Sequence, residues 1–129
     1  MAGGKRVGNR GYFYAPTVLV DVPADAAIMQ EEPFGPVSAL TPFDDIDHAI
    51  ARANETAYGL ASYVFTRDMD LARTIAGGLE AGLVGVNSAS VAAPAVPFGG
   101  VKDSGIGREG SFEGLLESMV TKTISTGQL

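Results

Sequence analysis

The feature that most constrains the fold of this chain is the alternation of short β-prone runs with segments of helical periodicity. Four runs are rich in β-branched or apolar residues and end at turn or capping residues: TVLVDV (17–22), VSALTPF (37–43), ASYVFT (61–66) and LVGVN (83–87). Segments with apolar residues at helical spacing lie between them, as in 44–54. Because parallel neighbouring strands need a crossover that a helix supplies, this order predicts an α/β fold with a largely parallel sheet and flanking helices.

Capping and breaking residues set the limits of the expected helices. A short helix over about 24–31 has to end before Pro33, because a proline disfavours helical geometry in the residue that precedes it. The Asp44–Asp45 pair can cap the helix of the next segment by accepting backbone N–H bonds. Asp68 opens a further helix, which we expect Gly82 to close.

The composition fits one globular domain over residues 1–129, with 46% hydrophobic and 19% charged residues. No apolar stretch approaches the roughly 20 residues that span a bilayer, and no apolar region follows the basic N-terminus, so we expect neither membrane insertion nor secretion but a cytoplasmic location. The net charge is −6 and the basic residues are scattered singly. The chain therefore has no basic stripe that could bind a nucleic-acid backbone, and we do not expect nucleic acid as a partner. The chain has no cysteine and a single histidine, His48, which we expect at the surface and not in a metal site.

A long segment rich in Ala, Val, Pro and Gly occupies residues 88–110. A helix near 111–119 and the β-prone TKTIST (121–126) follow it. Loops of about twenty residues are uncommon in compact domains and tend to be functional, so the segment is the first candidate for a site.

Three glycines in this segment, Gly105, Gly107 and Gly110, have the GxGxxG spacing of dinucleotide-binding loops. A buried strand should precede such a loop and an acid should follow about 20 residues later, and neither condition is met here. The spacing therefore favours glycines used for tight turns and close packing.

The run EEPFGPV (31–37) places two carboxylates before a turn that holds an aromatic residue. A carboxylate fixed by rigid backbone can accept hydrogen bonds from paired hydroxyls such as those of a ribose, beside an aromatic face that packs on a flat ring. The alternative is a solvated acidic helix end followed by a Pro-Gly turn, and composition alone leaves both open.

Five motifs occur in one order along the chain: GYFYAPTVL, QEEPFGPV, ANETAYGLASYVFTRD, GLVGVN and PFGGVKDSGIGRE. Together they resemble the C-terminal region of the aldehyde dehydrogenase superfamily, over essentially all residues. The resemblance implies the C-terminal part of the family's catalytic domain. It also implies NAD or NADP as cofactor, a small-molecule aldehyde as substrate, and a terminal oligomerisation arm at about 121–129.

In that family a cysteine attacks the aldehyde, the adduct gives its hydride to NAD(P), and a glutamate helps water to release the acid. Neither the nucleophile nor the cofactor domain is present in this sequence. The resemblance therefore implies that the missing N-terminal part of the same enzyme supplies them, and that the 129 residues alone are inactive.

The resemblance also assigns roles to single residues. Glu32 matches the acid that binds the nicotinamide ribose, and Phe34 matches the aromatic that packs beside the nicotinamide. Asn87 opens the substrate-side loop, and Phe98 matches an aromatic of the aldehyde tunnel. Glu109 matches an acid that supports catalysis through the water path to the catalytic glutamate.

Within the family, the motif PFGGVKDSG most resembles that of the succinate-semialdehyde dehydrogenase-like branch. In that branch a serine of this loop holds the substrate carboxylate, and the position counted back from PFGG is Ala92 here. Ser88 and Ser90 are the candidates that could substitute for it.

The terminal arm implies a homo-oligomer of the full enzyme. A hypothesis from another class is a free-standing, non-catalytic interaction or assembly module that keeps the same fold. An open reading frame that continues upstream into a cysteine-bearing segment would favour the enzyme, and a stop codon there would favour the module.

Overall fold

The computed structural model describes residues 1–128 and divides the chain into two compact units, Met1–Thr56 and Ala57–Leu129. Each unit contains a pair of parallel strands joined through a helix, which is the arrangement that the alternating sequence pattern predicts.

The first unit is built from two strands and two helices: β1 (Thr17–Val20), α1 (Ala27–Gln30), β2 (Val37–Leu40) and α2 (Ile46–Asn54). β1 and β2 pair in parallel, with Thr17 opposite Val37 and Val20 opposite Leu40. The N-terminal segment folds back on β1, and the buried Thr17 Oγ1 accepts a hydrogen bond from the Gly4 amide at 2.8 Å.

Capping places α2 where the sequence predicts it. The Asp45 carboxylate accepts a hydrogen bond from the His48 amide at 2.8 Å, so the second acid of the Asp44–Asp45 pair is the N-cap. The His48 ring is exposed, 3.6 Å from the Asp44 carboxylate, which confirms the predicted surface position.

The second unit contains four strands and two helices: β3 (Tyr58–Gly59), β4 (Ala61–Val64), α3 (Met69–Gly78), β5 (Leu83–Val86), β6 (Val101–Lys102) and α4 (Ser111–Glu117). β4 and β5 pair in parallel, with Ala61 opposite Leu83 and Val64 opposite Val86. β3 and β6 form a short antiparallel pair that the sequence did not predict, because strands of two residues carry no readable periodicity.

The expectation of one largely parallel sheet is wrong in extent. The described residues form three separate two-stranded sheets, two of them parallel. Each parallel pair forms through its own connecting helix, but a wider sheet needs further neighbouring strands, and residues 1–128 place none beside these pairs.

Gly82 does not close α3, contrary to the prediction. Asp68 is the N-cap residue, whose carboxylate accepts from the Asp70 and Leu71 amides at 3.0 Å, and Leu79 is the C-cap residue. A Cβ atom at Gly82 would collide with the carbonyl oxygen of Gly99, so its small size serves a close approach between two chain segments.

The predicted terminal strand is not formed in the single chain. α4 ends at Glu117, and residues 119–128 form neither helix nor strand. Val120 and Ile124 are 96% and 79% exposed, and a strand requires a neighbouring strand for its hydrogen bonds. Leu129, the last residue of the predicted arm, lies outside the described residues.

The buried core is small. Among the described residues the buried ones are Thr17, Val64, Ala72 and Leu83, together with three glycines, Gly59, Gly85 and Gly100. The chain exposes 9972 Å², whereas a compact protein of 13.3 kDa exposes about 6,500 Å² and two separate globules of half that mass about 7,800 Å². Much apolar surface is therefore left uncovered. Within residues 1–128 no helix has the length and apolar character needed to cross a bilayer.

Candidate active site

A loop rich in glycine, residues 98–109, is closed at its base by a backbone bridge. The Phe98 amide donates to the Glu109 carbonyl at 2.8 Å, and the Glu109 amide donates to the Phe98 carbonyl at 2.7 Å. We call this segment the Gly-rich loop. The bridge holds two predicted site residues, the tunnel aromatic Phe98 and the supporting acid Glu109, directly opposite each other.

The tip of the Gly-rich loop is fastened to the start of the second unit. The Gly59 amide donates to Ser104 Oγ at 2.9 Å, and the Asp103 amide donates to the Ala57 carbonyl at 3.0 Å. Lys102 Nζ lies 2.6 Å from Glu80 Oε2. The loop is thus held at its tip by hydrogen bonds and an ion pair, and at its base by the bridge.

One cavity, of ≈ 290 Å³, brings together three of the predicted site residues. Ala92, Phe98 and Glu109 line it, and the rest of its wall comes from the neighbouring residues Ala93, Pro94, Val96 and Gly110. Apart from Glu109, none of the lining residues has a polar side chain. Such a surface suits the carbon chain or ring of an aldehyde.

A second cavity, of ≈ 410 Å³, also has Phe98 and Glu109 in its wall. Here Arg108 and Glu117 add a guanidinium and a carboxylate. Arg108 is a lining residue that the sequence analysis did not single out. Its Nη1 donates to the carbonyls of Gly100 and Gly107, and contacts to backbone oxygens leave no mark in a sequence.

The Asn87 side chain forms two hydrogen bonds with the backbone of Thr66. Its Oδ1 accepts from the Thr66 amide at 2.9 Å, and its Nδ2 donates to the Thr66 carbonyl at 2.8 Å. Asn87 also has a φ of 52°, a left-handed conformation that asparagine tolerates better than most residues. The residue therefore fixes the start of the 88–110 segment against the end of β4.

Ser88 and Ser90 do not line the cavity of Ala92. The Ser88 hydroxyl donates to the Ser90 carbonyl at 2.9 Å and accepts from the Ser90 amide at 3.2 Å. Both residues line another cavity of ≈ 290 Å³, alongside β5 and Pro97. Neither serine is among the residues that line the cavity of Ala92.

Glu32 and Phe34 lie in the first unit, on the turn that leads into β2. The Gly35 amide donates to the Pro33 carbonyl at 3.0 Å, and the Val37 amide donates to the Gly35 carbonyl at 2.8 Å. Both predicted cofactor residues are exposed, and Phe34 has 94% of its surface free. A rigid turn thus presents a carboxylate and an uncovered aromatic face together.

The glycines of the GxGxxG pattern adopt turn conformations. Gly107 has a φ of 83° and Gly110 a φ of 68°, both in the left-handed region. The helix that follows has only seven residues, and a two-residue strand precedes the pattern. The expected use of these glycines in tight turns is confirmed.

The sequence matches the Aldehyde dehydrogenase family over residues 1–124. The chain belongs to the aldehyde dehydrogenase family. Two curated relatives illustrate its position within it. The chain is 51% identical over 116 residues to the 4-(hydroxymethyl)benzenesulfonate dehydrogenase TsaD1 of Comamonas testosteroni, covering 90% of this chain and 24% of that protein. It is 42% identical over 127 residues to the NADP(+) succinate-semialdehyde dehydrogenase GabD of Escherichia coli, covering 98% of this chain and 26% of that protein.

A solved aldehyde dehydrogenase has the same fold. The betaine aldehyde dehydrogenase of Staphylococcus aureus in complex with NAD+ superposes with a TM-score of 0.86 at 40% identity, covering 94% of this chain and 25% of that one. The family recognised from the five motifs is therefore confirmed. The chain spans about a quarter of the length of the aldehyde dehydrogenases that it matches. NAD and NADP are both used by its relatives.

Proposed function

We propose that this chain is the C-terminal part of an NAD(P)-dependent aldehyde dehydrogenase that oxidises an aldehyde to its carboxylic acid. The observation that carries the proposal is the cavity shared by Ala92, Phe98 and Glu109, because the family resemblance assigns the first two to substrate binding and Glu109 to the water path of catalysis. The cysteine nucleophile is absent from this chain, so the isolated residues are expected to be inactive.

The cofactor side of the proposal rests on the turn that carries Glu32 and Phe34. An exposed carboxylate on rigid backbone can accept hydrogen bonds from both hydroxyls of a ribose, and the free face of Phe34 can pack on the nicotinamide ring. When bound, the dinucleotide supplies the hydride acceptor. The two side chains would orient it and shield one side of it from water.

On the aldehyde side, Phe98 and Ala92 form an apolar wall against which the substrate body packs. Glu109, in the same wall, would hold water by accepting its hydrogen bonds. Asn87 acts on the substrate through the loop that it fixes, since its amide is already bonded to the Thr66 backbone.

Succinate semialdehyde is the proposed first substrate to test. A succinate-semialdehyde dehydrogenase is among the relatives, and the PFGGVKDSG motif is closest to that branch. Ala92 offers no hydroxyl to the far carboxylate, so a cation or hydroxyl from another part of the enzyme would have to bind it. An uncharged aldehyde of equal length, pentanal, is the matched comparison.

The exposed apolar surface supports the proposal that the chain is part of a larger protein and that this protein is an oligomer. Exposed apolar side chains extend along α4 and the C-terminal segment, among them Phe112, Leu115, Val120 and Ile124. We propose that residues 121–129 form an oligomerisation arm that gains strand partners from another subunit, and that the N-terminal part of the enzyme covers further apolar surface.

The deciding experiment uses the full-length polypeptide. Purified enzyme is mixed with NAD or NADP and with succinate semialdehyde, pentanal or benzaldehyde, and formation of the reduced dinucleotide is followed by its absorbance. Aldehyde-dependent reduction supports the proposal. Failure with every aldehyde and both dinucleotides, in a folded protein, would favour the alternative of a non-catalytic assembly module. The reading frame upstream of Met1 separates the two hypotheses independently.

A further inference from the structure

Arg108 lies beside the base of the Gly-rich loop and contacts both of its flanks. Its Nη1 donates to the Gly100 carbonyl at 2.9 Å and to the Gly107 carbonyl at 2.6 Å. Gly100 lies just after Phe98 on the first flank, and Gly107 lies just before Glu109 on the second. One side-chain nitrogen therefore ties the two flanks together next to the Phe98–Glu109 bridge.

The packing around this contact is close. A Cβ atom at Gly99 would lie 2.6 Å from the Gly107 carbonyl oxygen and 2.9 Å from Arg108 Cδ. The arginine stem thus runs directly against the backbone of the opposite flank. Because the flanks meet without intervening side chains, a small change in their separation would be transmitted to the bridge.

We propose that Arg108 is a positioning residue for the aldehyde end of the active site. By holding the two flanks at a fixed separation, it sets the direction of the Phe98 ring and the place of the Glu109 carboxylate. The inference rests on the proposed function, which gives those two residues their roles. A guanidinium suits this task because it is always charged and its donors have a fixed planar arrangement.

The tip of the loop has its own anchors, so the effect of losing Arg108 should be local. The Lys102–Glu80 ion pair and the bond from the Gly59 amide to Ser104 Oγ do not involve Arg108. Replacement of Arg108 should therefore loosen the base of the loop while the loop stays attached to the second unit.

The test compares Arg108→Gln with Arg73→Gln in the full-length enzyme. Arg73 is a matched control, since its ion pair with Asp70, at 2.7 Å, lies on the exposed surface. For Arg108→Gln we expect the aldehyde kcat/KM to fall roughly 10- to 100-fold, mainly through a higher aldehyde KM, because a small displacement of a positioning group has effects of that order. The dinucleotide KM should stay within about twofold of wild type in both variants.

Amide hydrogen exchange gives a second measurement that does not depend on activity. The Phe98 and Glu109 amides form the bridge, so both should exchange faster in Arg108→Gln and at the wild-type rate in Arg73→Gln. Arg108→Lys keeps the charge without the planar donors and should be intermediate. It also serves as the test variant if Arg108→Gln does not fold.

The possible results separate the inference from the proposed function. Unchanged aldehyde kinetics and unchanged bridge exchange in Arg108→Gln would overturn the inference, as would a parallel rise of both KM values that accompanies a lower melting temperature. Wild-type enzyme that oxidises no aldehyde contradicts the proposed function instead. In that case faster bridge exchange still supports the fixed base of the loop, and unchanged exchange overturns it.

Discussion

Ala92 and Glu109 line the same cavity, although the whole Gly-rich loop separates them along the chain. The backbone bridge between Phe98 and Glu109 produces this meeting, because it returns the second flank of the loop to the start of the first. In the proposed function, the lining of this cavity, with one acidic residue among apolar ones, is the part of the chain that would contact the substrate.

A hydroxyl at position 92 should favour substrates that end in a carboxylate. In Ala92→Ser the new hydroxyl can donate to that group, so we expect kcat/KM for succinate semialdehyde relative to pentanal to rise about tenfold. The matched control is Ala95→Ser, because Ala95 lies in the same segment but does not line the cavity. The assignment of Ala92 fails if the ratio stays constant or if the control raises it equally.

The two neighbouring acids of EEPFGPV should differ in their effect on cofactor use. Glu32→Gln removes the charge that would accept the ribose hydrogen bonds, and we expect the dinucleotide KM to rise about tenfold or more. Glu31→Gln is the control, since Glu31 is the C-cap residue of α1 through its backbone amide, which the substitution leaves in place. Steady-state kinetics with saturating aldehyde measure both variants, and equal KM values for Glu32→Gln and wild type would remove the assignment.

Loss of the Asn87 amide should lower stability more than it changes the chemistry. Asn87→Ala leaves the Thr66 amide and carbonyl without their side-chain partner, which should reduce the free energy of unfolding by about 1–2 kcal/mol. Ser88→Ala removes two local hydrogen bonds to the Ser90 backbone, which bridge only two residues, and should cost less. Denaturant unfolding compares them, and an Asn87→Ala protein as stable as wild type would contradict the structural role.

The chain of 129 residues, expressed alone, should self-associate. Large apolar side chains such as Phe34, Ile106 and Val120 are almost fully exposed, and unpaired strand edges attract further strands. Light scattering on a concentration series should show a mass that rises with concentration. A monomer with a sharp cooperative melt would show that the chain does not need further polypeptide to cover its surface.

The pKa of Glu113 provides a local test of the start of α4. The Ser111 hydroxyl donates to Glu113 Oε2 at 2.7 Å, which lowers the pKa of that carboxyl below its usual 4.5. A lowered pKa in the folded state stabilises the protein at neutral pH, and this contribution disappears as the pH falls through the lowered value. In Ser111→Ala the pKa should move back towards 4.5, as measured by NMR titration. An unchanged pKa would mean that the hydroxyl is not its cause.

The parts of the fold that the sequence predicted are those with local causes. The β-branched runs and the Asp68 cap act within a few residues of where they stand, and both were placed correctly. The β3–β6 pair was missed because Tyr58–Gly59 and Val101–Lys102 meet only through the tertiary fold. The predicted parallel pairing is confirmed, but in separate two-stranded sheets, since the size of a sheet depends on which strands find neighbours.

The candidate site also contains residues that the sequence identified and residues that it did not. Motifs with distinctive residues identified Phe98 and Glu109, and the structure brings them together with Ala92 in one cavity. Arg108 escaped notice because its partners are backbone carbonyls, which every residue has. The Asn87 role was also not readable, because a side chain that bonds to backbone looks the same in sequence as one that awaits a ligand.

Gly82 carries no functional group, yet a Cβ atom there would meet the Gly99 carbonyl at the foot of the Gly-rich loop. Any larger residue at position 82 would therefore push the Gly-rich loop away from the segment that carries it. The resulting defect would look like an active-site lesion in an enzyme assay, although the altered residue touches neither reactant.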